Sequence, residues 1–158
     1  MFIHFLSLIL ELVWINSLAS ADGIFYLQLL HYNSHGVLKS GSPCDWKDHR
    51  CDTGFIICFK HSALEKICVH KVNTGQIAKD TDILIMENMT RIGQIDNPLL
   101  YHFAGEWKNT YVDIKAEDWD ESRQNQEIDH FHHFFSDVKN NMESVAIVLK
   151  GDRKYLTS

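Results

Sequence analysis

The sequence predicts an all-β chain: an antiparallel sandwich of about eight short strands, stapled by disulfides. Three observations lead there. Apolar residues recur at every second position in several short runs, Gly, Asn, Asp or Pro bounds each run, and four cysteines crowd into residues 44–68. The 158 residues, 45% hydrophobic and 23% charged, suit one globular domain with a core of its own. Two prolines and eight glycines exclude collagen-like and low-complexity chains. A net charge of -6 removes the long-range attraction to phosphate backbones, which argues against nucleic acid as a partner.

Taken in order, the chain opens with an apolar run over residues 2–18, broken by His4, Ser7 and Glu11 and followed by the small residues Ala19, Ser20 and Ala21. This is the layout of an export signal cleaved after Ala21. It implies a signal peptide over residues 1–21, a sandwich domain over residues 22–151 and a short tail over residues 152–158. No Lys or Arg precedes the run, and Glu11 would be costly at the centre of a bilayer, so a permanent anchor is disfavoured. The mature protein is expected to be secreted into an oxidising, extracellular space.

Within residues 24–32, Phe25, Leu27 and Leu29 share one face at period two, and Asn33-Ser34-His35-Gly36 reads as a turn. In the next strand Phe55, Ile57 and Phe59 face the core while Cys58 points the other way. Short apolar runs follow at residues 67–72, 83–86 and 99–103. Residues 111–116 alternate clearly, with Val112, Ile114 and Ala116 opposite Asp113 and Lys115, so a half-buried strand is expected. Residues 118–126 are polar and read as a loop. Residues 128–138 carry Phe131, Phe134, Phe135 and Val138 at a spacing that fits either a helix or a bulged strand. Val145, Ile147 and Leu149 close the series as a last strand.

In an exported chain Cys44, Cys51, Cys58 and Cys68 form two disulfides more economically than a zinc site, since their spacings match no common zinc pattern. Spacing alone leaves three pairings open. Asn88-Met89-Thr90 is a glycosylation sequon and predicts an exposed, sugar-accepting loop at Asn88.

Chemistry has two places to reside. Asp118, Asp120, Glu121 and Asn125 set several oxygen donors on one loop, as calcium with its six to eight hard ligands would need. Trp119 beside them could touch lipid headgroups or cap the core. His130, His132 and His133 form the second group; on a strand His130 and His132 share a face, at ligand spacing if a third donor approaches, although plain surface histidines fit as well. No nucleophile motif, phosphate-binding glycine loop or metalloprotease helix pattern is present, so no enzyme activity and no required cofactor are expected.

The run Gly23-Ile24-Phe25-Tyr26-Leu27-Gln28-Leu29-Leu30, continuing through Asn33, Gly36-Val37-Leu38 and Gly41-Ser42-Pro43-Cys44, resembles the amino-terminal domain of Notch ligands of the Delta/Serrate/Jagged family. So do Cys51 to His61, with Cys68 where that family places its next cysteine, and Ile95, Pro98-Leu99, Phe103, Trp107, Thr110-Tyr111 and Ile114-Lys115-Ala116. The likeness runs over about residues 22–151 and is weakest over residues 69–94. It implies a C2-like sandwich, disulfides pairing Cys44 with Cys51 and Cys58 with Cys68, contact with the Notch receptor in development and, in some members, calcium and membrane lipid. Pro98-Leu99 and Trp107-Lys108 replace the family's Pro-Phe and Trp-Pro. The family continues into a cysteine-rich module, further repeats and a membrane span. A single soluble domain ending at Ser158 is therefore expected to assist, compete with or decoy such signalling, and a fragment of a longer ligand would be membrane-associated.

Overall fold

Every regular element among the described residues is a strand, and alternation at period two marks the longer ones. A computed structural model describes residues 6–10, 23–45, 50–103, 109–120, 124–135 and 145–149. Its strands are β1 (Leu6–Leu10), β2 (Gly23–Asn33), β3 (Thr53–Lys60), β4 (His70–Gln76), β5 (Ile83–Ile85), β6 (Arg91–Ile92), β7 (Ile95–Asp96), β8 (Leu99–Phe103), β9 (Thr110–Asp118), β10 (Gln126–Phe135) and β11 (Val145–Leu149). One sheet runs β11-β1-β2-β5, with β8 also on β2; the other runs β10-β9-β3-β4. A small β6-β7 hairpin stands apart. Every pairing among the described residues is antiparallel.

The two sheets enclose a core in which period-two faces meet. Phe25, Leu27 and Leu29 from β2 lie against Phe55, Ile57 and Phe59 from β3, Val112, Ile114 and Ala116 from β9, and Ile128, Phe131 and Phe135 from β10. Aromatic rings meet edge to face across the layer: Phe25 with Phe59 at 5.8 Å and Phe135 at 5.3 Å, Tyr32 with Phe55 at 5.1 Å and Phe131 at 5.9 Å. Each such pair contributes about 0.5–1.5 kcal/mol beyond burial of its area.

The all-β sandwich is observed, and the described residues hold three strands beyond the eight expected. Two of these, β6 and β7, have two residues each and no alternation to read. The third is β1, where part of the expected signal segment pairs with β2 and β11. Cleavage after Ala21 and the tail over residues 152–158 fall outside the described residues. The stretch at residues 128–138 resolves as a strand ending at Phe135, with a bulge between Glu127 and Asp129. That bulge shifts the inward phase, so Ile128 and Phe131 both reach the core while Phe134 is exposed. One strand is displaced from its apolar run. β4 begins at His70 and not at residue 67, because Val69 N–H donates to Phe59 C=O at 2.7 Å and Cys58–Cys68 folds residues 61–69 into a loop.

Candidate functional site

Three segments distant in sequence converge where β3 begins and β4 and β9 end. The Cys44–Cys51 disulfide holds two chain stretches together, with Cα atoms 5.1 Å apart, and the residues that follow each half-cystine are Asp45 and Asp52. Asp80, from the β4–β5 loop, completes a group whose carboxylate oxygens all lie within 4.8 Å of one another. Asp52 is the hub of this end. Its Oδ1 accepts from Asp80 N–H at 2.7 Å and its Oδ2 from Gln76 Nε2 at 3.0 Å, while its own N–H donates to Asp118 Oδ1 at 2.7 Å.

Asp118 is buried at the end of β9. Burial first, and then the nearby charges of Asp45, Asp52 and Asp120, push its carboxyl up to about 6 against the opposing pull of the Asp52 N–H. Like charges gathered in one partly dry place favour a proton or a cation. Hard oxygens at this density are donors calcium accepts. The disulfide sulfurs of Cys44 and Cys51 lie beside Asp118 but, being oxidised, offer no thiolate.

The residues anticipated for calcium divide. Asp118 and Asp120 belong to this end, Glu121 lies outside the described residues, and Asn125 turns its amide to donate to Glu117 Oε2 at 3.4 Å. Asp45, Asp52 and Asp80 were not singled out from the sequence, although two of them directly follow cysteines that the family resemblance pairs. Trp119 is half-buried. Its backbone N–H donates to Asp52 C=O at 2.7 Å, and its indole sits over Gly54, where a Cβ would come within 2.4 Å of Nε1. Both disulfides have the pairing that the resemblance implied. Asn88 is exposed in the turn after β5.

The histidines separate among different neighbours. His130 Nε2 bonds Asp113 Oδ1, and Lys60 Nζ holds Asp113 Oδ2 at 2.6 Å, forming a cation–carboxylate–imidazole row on the outer face of the second sheet. Burial would raise Asp113, but His130 and Lys60 outweigh it and hold the carboxyl at about 2. The bond to Asp113 raises His130 above its ordinary range. His132 stacks on Tyr111 at 5.7 Å, and His133 meets the edge of Phe135 at 4.5 Å. Among the described residues, no histidine joins a group of donors close enough to share a metal ion.

An antiparallel sandwich with loop carboxylates gathered at one end is a C2-like domain. Solved structures agree on the fold: a C2 domain protein from Ramazzottius varieornatus superposes with a TM-score of 0.53 at 15% identity, covering 86% of this chain and 68% of that one. A RIM C2 domain from Drosophila gives 0.50 at 11% identity, covering 92% and 98%. In sequence, the chain is 31% identical over 115 residues to Delta-like protein 4 of Rattus norvegicus. The match takes in 69% of this chain and 16% of that protein, so the chain spans about a sixth of its relative's length. No family model matches the chain. The resemblance to Notch ligands of the Delta/Serrate/Jagged family thus has support from a sequence match over 69% of the chain, and the C2-like sandwich that it implies is the fold observed.

Proposed function

We propose that this chain is an extracellular recognition module of Notch-ligand type, which contacts the Notch receptor and modulates its signalling in development. The observation that carries the reading is the 31% identity to Delta-like protein 4 over 115 residues, on a C2-like sandwich with both disulfides paired as the resemblance implies. Strand faces and end loops would make the contact, without catalytic chemistry. Immobilised Notch ectodomain titrated with the full chain tests this. Saturable binding, accompanied by a change in a Notch reporter, supports the reading; the absence of both removes it.

A second reading, a calcium- or phospholipid-binding C2-like adhesive domain unrelated to Notch, is favoured by the acidic end. Asp45, Asp52, Asp80, Asp118 and Asp120 would hold the ion there, and the upward push on Asp118 fits a site short of positive charge. Calorimetric titration with calcium, repeated on Asp118→Asn, separates this reading from a solvated acidic turn.

A further inference from the structure

We propose that Asn88 carries an N-linked oligosaccharide that covers the aliphatic edge of the first sheet at β5 and keeps a second copy of the chain from pairing there. The proposal rests on the extracellular reading above, because an asparagine meets this modification only on the secretory route. β5 ends its sheet and pairs with β2 on one side. Its Leu84, opposite Tyr32, is buried, while Ile83 and Ile85, opposite Asn33 and His31, are 52% and 61% exposed on the outer face. Met89, just beyond, is 46% exposed. A short edge strand with bare isoleucines invites another strand to add to it.

The acceptor lies within reach of this patch. Asn88 is three residues beyond Ile85, so the two are no more than about 11 Å apart along the chain. The turn that carries Asn88 is fixed on the outer face: Gln28, which alternates with the buried Leu27 and Leu29, donates from Nε2 to Glu87 C=O at 3.1 Å. Met89 N–H donates to Met86 C=O at 3.0 Å, and the buried Asn97 Nδ2 holds the carbonyls of both Met86 and Met89. Residues 87–90 are all exposed. Among the described residues the Asn88 side chain has no hydrogen-bond partner, so a transferase can reach its amide.

The donor is a polyprenyl pyrophosphate that bears the oligosaccharide. A bond forms between sugar C1 and Asn88 Nδ2 as the bond from C1 to the pyrophosphate oxygen breaks; the amide gives up one proton, and the pyrophosphate leaves with the electron pair. Thr90 supplies the hydroxyl that the acceptor pattern requires two residues on. A branched sugar rooted at Asn88 turns its hydroxyls to water and the C–H faces of its rings toward Ile83, Ile85 and Met89. Its bulk also stands where another strand would add to β5, so one group shields the side chains and blocks the edge.

The test is expression of the full chain in a glycosylating, secreting host, followed by intact mass and sedimentation velocity. The parent should carry the sugar at Asn88. Asn88→Gln and Thr90→Ala should be secreted bare and self-associate about tenfold or more tightly than the parent, while Thr90→Ser should match it. Endoglycosidase trimming of the folded parent should produce the same association with no change of sequence. Ile83→Thr with Ile85→Thr, added to Asn88→Gln, should return association to the parent's level; threonine suits a strand, so circular dichroism should be unchanged. A secreted chain with bare Asn88 overturns the proposal. So does removal of the sugar that leaves association where it was, or association indifferent to the two isoleucines. Retention of the chain in the cytosol would remove the extracellular reading as well, whereas loss of Notch binding alone bears on that reading and not on this one.

Discussion

The side-chain amide of Asn97 pairs with the backbone of Leu29 as a neighbouring strand would. Leu29 N–H donates to Asn97 Oδ1 at 2.9 Å and Asn97 Nδ2 donates back to Leu29 C=O at 3.0 Å. Leu29 lies on β2 between the stretch paired with β8, residues 23–27, and the stretch paired with β5, residues 31–33. One side chain therefore continues the ladder between two short strands. The same Nδ2 also reaches Met86 C=O at 3.0 Å and Met89 C=O at 3.2 Å, tying the β5–β6 turn to β2.

Asn97 is buried, so water cannot replace it. Asn97→Ala takes the partner from both the N–H and the C=O of Leu29, in the buried part of β2, and should cost about 2–4 kcal/mol. Asn97→Asp should cost more, because it turns a carboxylate oxygen toward carbonyls where a donor stood. Urea denaturation measures both; a loss below that of an ordinary surface substitution would show that the side chain does not complete the ladder.

Much of the architecture could be read from alternation alone. Phe25, Leu27 and Leu29, or Val112, Ile114 and Ala116, announce their strands because one face of each is buried and the other is wet. Asn97 could not be read that way. An asparagine before a proline looks like a turn, and its work depends on a residue 68 positions away. The acidic end was half legible: Asp118 and Asp120 are close in sequence, but Asp45, Asp52 and Asp80 join them only through a disulfide and the return of β4. His130 was placeable on a face, whereas its partner was not. The register sets Lys115 opposite His130 and Asp113 opposite His132, so the bond is diagonal.

Asp118 should make stability fall as pH rises. Its folded value of about 6 lies above the ordinary 3.8, so its contribution is complete below about pH 4 and is lost as pH climbs through 6. Asp118→Asn keeps an acceptor for the Asp52 N–H and removes the charge. In calcium-free buffer near pH 7.5 the variant should be more stable than the parent by about 1–3 kcal/mol, the difference vanishing below about pH 4. Millimolar calcium should raise the parent's melting temperature and leave the variant's nearly unmoved. A calcium response equal in both would remove Asp118 from the ion's surroundings.

The two disulfides should separate stability from ion binding. They close loops with separations of 7 and 10 residues, so on the chain-entropy model each stabilises by about 2.5–3 kcal/mol. Replacing either pair by serine should cost similar stability. Only Cys44→Ser with Cys51→Ser, which frees Asp45 from Asp52, should also weaken calcium binding; Cys58→Ser with Cys68→Ser should not. Thermal melts and calcium titrations on both variants decide this, and equal loss of calcium affinity would mean the carboxylates do not depend on the staple beside them.

The row formed by Lys60, Asp113 and His130 should give the opposite pH signature to Asp118 at the acid end, and a second one near neutrality. Asp113, held at about 2 against an ordinary 3.8, contributes stability that is full above about pH 4 and is lost as pH falls through 2. His130 is raised, first by its bond to Asp113 and then by the charges of Asp113 and Glu127, with burial and Lys39 opposing. Its contribution is full below its ordinary 6.5 and is lost as pH rises past its raised folded value. Both are complete between about pH 4 and 6.5. There Asp113→Asn should destabilise by about 1–2 kcal/mol, since the Asp113 and Lys60 side chains are only 15% and 13% exposed. Above neutrality the penalty should shrink to the share held by Lys60, and His130→Gln should flatten that alkaline limb alone. Histidine NMR offers an independent check. His130 should titrate above 6.5 and His133, lowered by burial and by His132, below it. The reverse order would mean that imidazole and carboxylate are not joined, and the outer face of this sheet would then lose a link between β10 and β3.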